Sequence, residues 1–426
     1  MNSAKANSGR LLLGDWLLLA LIALLPLMKP AVSYPVVLAD LIFVALVLVV
    51  AIEIATGRRR LRWDPLFLVL VIYLLALAPS TMASTNPGRS AFKMATEVYL
   101  IGLAAVTTVV VRSTDLLRRV TLTWLGATAA LVALCIVSLA AFAVSPSSPL
   151  YQYSWFHFGT LPPGNYPRLA LSFFDANMAC NYLTVSVGLL LLAWRRKWLP
   201  QKLAMLSLAA ICLAAVSTIS PGLGGIGLML GASGWLLRRS ALALGIGISA
   251  ALAFILAQAV TPFLHPTAPF LIHIPGTGLI LAPAGRFLTW TAGLNEFSRH
   301  PWIGHGIGID PVLVHYQDPS GELQELTDAH NVFLNIAAQA GLVGLAGLAM
   351  LIGYAARLTF SRARGKALSI PLILGLTFLI AFAYEGLGAG FEDTRHLWVL
   401  LGLLAASASI SREDENSRRA GAPLPC

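Results

Sequence analysis

The chain has 426 residues, of which 57% are hydrophobic and only 11% charged, and its mean hydropathy is +0.77. Soluble domains carry about a quarter charged residues, so a water-soluble globular fold is excluded and spanning helices of about 20 apolar residues are expected. The net charge of +10 does not point to nucleic acid, because the basic residues stand in short clusters just beyond apolar stretches, where they act as topology signals and contacts for anionic membrane lipids.

In chain order, twelve apolar segments run over 11–28, 35–55, 64–84, 94–111, 120–143, 169–194, 203–219, 221–236, 240–261, 331–355, 367–385 and 396–410. The expected fold is all-α: one polytopic membrane domain over 1–426, with about twelve transmembrane helices and both termini cytoplasmic. The first segment lacks a small-residue cleavage site and reads as a retained helix rather than a signal peptide. Ser220 and Pro221 leave almost no loop between the seventh and eighth segments. No internal repeat is evident, which disfavours transporters built from duplicated halves. Four cysteines give no disulfide or zinc framework.

Alternate gaps hold 22 of the 29 basic residues, which marks that side as cytoplasmic. The remaining seven are Lys29, Arg89, Lys93, Arg168, Arg286, Arg299 and Arg395. They fall on the opposite side and need another reason to be there, such as binding an anion. Two polar stretches lie on that side, 145–168 and the long loop 262–330. Long loops are usually functional or disordered. Within this one, Phe287, Leu288, Trp290, Leu294 and Phe297 recur at near-helical spacing, predicting a short amphipathic helix over about 286–298 at the membrane surface. All eight histidines also fall on this side. None has the spacing of a helical metal site, so no bound metal is expected.

His330-Asn331 stands at the mouth of the tenth segment. Asn335 and Gln339 follow at intervals of four, forming one polar stripe, and Gly341 and Gly344 allow close helix approach. This pattern of His, Asn, nine residues and Gly-x-x-Gly resembles the O-antigen ligase and O-antigen polymerase superfamily. GRFLTWTAGLNEFSRHPWIGHGIG from Gly285 is similar to that family's Arg and aromatic-rich helix with its Pro and Gly-x-Gly turn. RLALSFFDANMACNYL from Arg168 is similar to its Arg followed by an aromatic and an Asn-containing turn.

The resemblance implies a glycosyltransferase of the bacterial inner membrane with a periplasmic active site. Its donor would be a glycan on undecaprenyl pyrophosphate and its acceptor a hydroxyl of lipid A-core. It would invert the anomeric centre and use no metal, cofactor or nucleotide sugar. His330 would be the catalytic base. Arg168 and Arg286 would clamp the departing pyrophosphate through bidentate guanidinium contacts, with Arg89 and Lys93, in the outer turn TNPGRSAFK, as weaker candidates whose bland role is snorkelling to head groups. Asn331 would bind substrate or cap its helix, and a nearby carboxylate would orient His330, Asp328 being close to it in sequence. A polymerase or protein O-oligosaccharyltransferase would share the donor chemistry. A metal-assisted carboxylate base ranks second, drawn from Asp310, Asp318, Glu322, Glu325, Asp328, Glu385, Glu392 or Asp393. A lipid-glycan flippase is the reading from another class, and would place polar residues deep within several spans.

Overall fold

The computed structural model describes residues 11–28, 36–145, 147–148, 169–218, 220, 222–238, 240–262, 272–273, 280–283, 285–317, 323–361, 368–388 and 394–419. Thirteen α-helices run through them: α1 (Leu13–Leu24), α2 (Leu38–Ala55), α3 (Pro65–Met82), α4 (Pro87–Val110), α5 (Thr114–Val144), α6 (Ala176–Arg195), α7 (Gln201–Ser217), α8 (Leu223–Arg238), α9 (Ala241–Ala259), α10 (Gly285–Arg299), α11 (Val332–Phe360), α12 (Ile370–Gly388) and α13 (Arg395–Arg419). Each of the twelve apolar segments falls on one of them, and α10 is the helix expected over 286–298. Six helices (α2, α3, α4, α5, α6 and α11) are long and apolar enough to cross a membrane, and five shorter apolar ones accompany them. The chain is a multi-pass membrane protein in this sense.

Helix starts follow local chemistry. Asp64 and Asn86 cap α3 and α4, each followed by Pro at the first helical position. Ser113, Asp175 and Asn331 cap α5, α6 and α11 through side-chain oxygens. Two boundaries correct the sequence reading. Because the Asn86-Pro87 pair starts α4 earlier than 94, Arg89 and Lys93 stand on its first two turns and not in a connecting turn. Because Asp175 caps α6, residues 169–175 are a non-helical turn, buried over 169–173, with Leu171 at φ 54°. The chain is dominantly helical, as expected, with almost no sheet: among the described residues five short strands lie between α9 and α11, β1 (Val260–Pro262), β2 (Ile272–His273), β3 (Ile280–Pro283), β4 (Val314–Gln317) and β5 (Leu323–Leu326). The first three form an antiparallel sheet in the order β1-β3-β2, and β4 pairs antiparallel with β5. Between spans, backbone groups beyond a helix must find partners elsewhere, and short ladders supply them.

Long-range contacts define two ends of the bundle. At the basic end the Arg59 guanidinium bonds Asp15 (2.7 Å) and Glu53 (2.7 Å) and donates to the Val110 carbonyl (3.2 Å), all buried. Tyr354 and Ser409 both donate to Asp64 there, joining α11 and α13 to the start of α3. At the loop end Ser80 donates to the Gln339 carbonyl, and Ser90 to that of Ile307 (2.6 Å). Close approach uses small residues, as expected where apolar burial gives no preference for helix over lipid. A Cβ on Gly231 would meet the Ala243 carbonyl at 2.6 Å, and one on Gly188 would meet Thr377 at 2.0 Å. His396 is buried at the loop end. It hydrogen-bonds Asn181 (2.8 Å), whose amide donates to the Ala381 carbonyl (2.7 Å), tying α13, α6 and α12 together.

Candidate active site

The loop end is organised around a break in α11. Gly341 has φ 63° and ψ −159°, a conformation that L side chains rarely adopt. In a straight helix residues eight apart lie about 12 Å apart along the axis, yet a Cβ on Gly344 would come within 3.2 Å of Ile336. The two halves therefore meet at a sharp bend, and Gly341 serves this turn in place of the straight helix approach expected for it.

A break strands backbone donors and acceptors, which must be paired when buried. The turn after α10 supplies the partners. The amides of Leu342 and Val343 donate to the carbonyls of Pro301 (2.8 Å) and Trp302 (3.1 Å). Amides of His305 and Gly306 donate to the freed carbonyls of Ala338 (3.2 Å) and Gln339 (3.1 Å). The Gln339 side chain accepts from Gly308 N–H and donates to the Ile309 carbonyl. Gly304, at φ 67°, has no room for a Cβ, which would lie 2.1 Å from Gln339 backbone. These contacts give Pro301, Gly304, Gly306 and Gly308 their roles beside Gly341.

At the other end of the bent segment stands His330. Its backbone is left-handed, φ 48°, which costs a non-glycine residue about 1–2 kcal/mol. Asp328 Oδ1 holds the turn, accepting from the His330 amide and from Asn335 Nδ2 (3.1 Å), while Asn335 Oδ1 accepts from the Ala329 amide (3.1 Å). The His330 Nδ1 lies 3.7 Å from the same Asp328 oxygen. The imidazole is 41% exposed, unlike the buried, hydrogen-bonded His396. Asn331 Oδ1 caps α11, accepting from Phe333 (3.0 Å) and Leu334 (3.3 Å), so the capping role foreseen for it is present. From α10, Thr289 donates to the Ala329 carbonyl (3.3 Å). Arg286 occupies the position one turn before Thr289 on that helix.

The other sequence candidates are placed differently. Arg89 makes a two-pronged pair with Asp310 (2.9 and 2.5 Å), so neither the cation nor that candidate base stands alone. Lys93 is largely buried, 3.8 Å from Glu97, and lines a small cavity with Tyr73 and Gln339 beneath the helix break. It points into the bundle instead of snorkelling to head groups. Arg168, Asp318, Glu322, Glu392 and Asp393 lie outside the described residues. Glu325 is 3.8 Å from His315. Among the described residues no three His, Cys, Asp or Glu side chains cluster closely enough to hold a metal ion.

The bent helix, its glycine turn and the strained histidine fall inside one matched segment. Residues 176–349 match the family model described as O-Antigen ligase. The segment is that of an O-antigen ligase family protein. No curated protein matches the chain. The family is one of glycosyltransferase-like membrane enzymes. Its matched segment runs from α6 into the second half of α11, so it includes Arg286, His330, Asn331 and Gly341. Arg168 precedes it by eight residues, and Arg89 and Lys93 lie well before it. Asn335 was visible in the sequence only as part of a polar stripe. Its spacing of four from Asn331 was the available signal, since that places it on the face turned toward the 328–330 turn.

Proposed function

We propose that this chain transfers a glycan from undecaprenyl pyrophosphate to a lipid A-core hydroxyl at the periplasmic face of the bacterial inner membrane. Both termini are then cytoplasmic, and 262–330 belongs to the periplasmic face of a single membrane domain. The observation that carries the reading is His330: half-exposed, backbone-strained, set against Asp328, and within the family-matched segment.

In this scheme the acceptor oxygen attacks the anomeric carbon from the face opposite the leaving group. Imidazole nitrogen of His330 takes the hydroxyl proton. The bond from the anomeric carbon to the phosphate oxygen breaks, and its electron pair leaves with the pyrophosphate, inverting the centre. Charge growing on that leaving group calls for fixed cations. Arg168 and Arg286 are assigned this clamp, since guanidinium matches phosphate oxygens two at a time. Arg89 is assigned instead to bracing the 305–310 turn through Asp310, and Lys93, paired with Glu97 on its own helix, to packing against Gly308 of that turn. No step requires a metal or cofactor.

The test is an assay of purified protein with undecaprenyl-pyrophosphate glycan and lipid A-core in EDTA. Product on lipid A-core is expected. Longer glycan still on undecaprenol would make the protein a polymerase, and loss of activity until metal is restored would favour a carboxylate base. His330→Ala should lower transfer by about 10²–10⁴-fold, the usual worth of a general base, at unchanged protein level. Arg286→Lys should also fail, because a point charge does not reproduce the fork. Normal transfer by both variants would overturn the assigned roles.

A further inference from the structure

Three groups converge on one carboxylate oxygen at the mouth of α11. Asp328 Oδ1 accepts from the His330 amide and from Asn335 Nδ2 at 3.1 Å, and lies 3.7 Å from His330 Nδ1. Asn335 is 1% exposed, and its other amide atom, Oδ1, accepts from the Ala329 amide. One asparagine side chain thus grips both sides of the 328–330 turn. The turn cannot relax to an ordinary conformation without breaking these bonds, which is how a left-handed histidine is retained. Neighbouring elements add Thr289 and Gly293 of α10 against Ala329, and Gly386 of α12 against Val332.

We propose that Asp328, held by Asn335, is the positioning residue for the His330 base. The inference rests on the transferase reading above and deepens it. An aspartate facing Nδ1 favours the tautomer with its proton there, which leaves Nε2 as the unprotonated nitrogen for the acceptor hydroxyl. When Nε2 takes that proton the ring becomes a cation, and the adjacent carboxylate stabilises it. A separation of 3.7 Å is longer than a hydrogen bond, but catalytic contacts of this kind commonly tighten once substrate is bound. Asp328 touches neither donor nor acceptor in this scheme. It acts through the imidazole.

The deciding variant is Asp328→Asn, which keeps an oxygen for the two N–H donors and removes only the charge. Transfer by the full chain, reconstituted with both lipid substrates, is followed as kcat and KM between pH 5.5 and 9, per folded molecule. The expected result is a fall in kcat of about 10- to 100-fold, part of the full worth of the base, with KM for both substrates within about twofold. The acidic limb of the profile should move to lower pH, because removing a negative neighbour lowers the imidazole pKa. Asn335→Ala should show the same pattern in weaker form. If His330→Ala abolishes transfer while Asp328→Asn keeps the wild-type kcat and profile, the positioning role is wrong and the function stands. A fall only in the amount of folded protein, with unchanged kcat and profile, also overturns it. Normal transfer by His330→Ala brings down the reading beneath it.

Discussion

Replacing Gly341 by alanine tests whether the broken helix builds the site. The residue sits at φ 63° and ψ −159°, a region essentially reserved for glycine, so any Cβ costs about 1–3 kcal/mol in backbone strain. That Cβ would also lie 2.4 Å from the Trp302 carbonyl carbon and oxygen, which are backbone and cannot rotate aside. The turn 301–306 must then withdraw from α11. It is held there by backbone bonds from Leu342, Val343, His305 and Gly306, each worth about 1 kcal/mol net. Losing half of them adds about 2 kcal/mol, for a total of about 3–5 kcal/mol. With an unfolding entropy near 2.1 cal/mol/K per residue, that is a fall in Tm of roughly 3–6 °C for a chain of this size. Thermal unfolding in detergent can be followed by a thiol-reactive dye, since Cys135 and Cys180 are buried. Gly353→Ala is the matched control on the same helix. Its Cβ meets nothing within 4 Å, so it should be neutral or up to about 1 kcal/mol stabilising through helix propensity. Transfer should be lost in Gly341→Ala and kept in Gly353→Ala. If Gly341→Ala melts and transfers like wild type, the break is not what holds the turn or presents His330.

The Arg89–Asp310 pair is half-exposed, so a double-mutant cycle on melting should give a coupling of only about 0.2–1 kcal/mol. Arg89→Ala should keep transfer within a few-fold, and exchanging the two charges should restore what a single reversal loses; complete loss of transfer in Arg89→Ala would return it to the pyrophosphate clamp. At the basic end, Arg59→Met leaves Asp15 and Glu53 buried without their cation. That should cost about 3–5 kcal/mol, largely recovered when all three are replaced by apolar residues of similar size. Melting of the single and triple variants checks it, and equal melting of wild type and Arg59→Met would refute the argument.

The helices were legible because each is governed by its own composition. A segment such as 38–55 has to satisfy its backbone internally if it lies in lipid, whatever the rest of the chain does. Helix starts are legible for the same reason wherever a cap is local, as at Asp64-Pro65 and Asn86-Pro87; hydropathy alone sets the second start too late, at 94. The paired glycines and His330 were visible as a pattern. What they do was not, because each depends on a partner elsewhere. Gly341 reads in the sequence as a packing glycine; in the fold the carbonyls of Pro301 and Trp302 accept from the amides that its break strands. Arg89 looked like a free cation until Asp310, 221 residues away, closed on it. Asp328 is near His330 in the sequence and accepts from its amide directly, but the carboxylate is fixed there by Asn335, one helical turn into the following helix. Hydropathy and capping act over a few residues and can be read along the chain. Hydrogen bonds and ion pairs between distant segments exist only once packing has brought those segments together, and the candidate site is made of them.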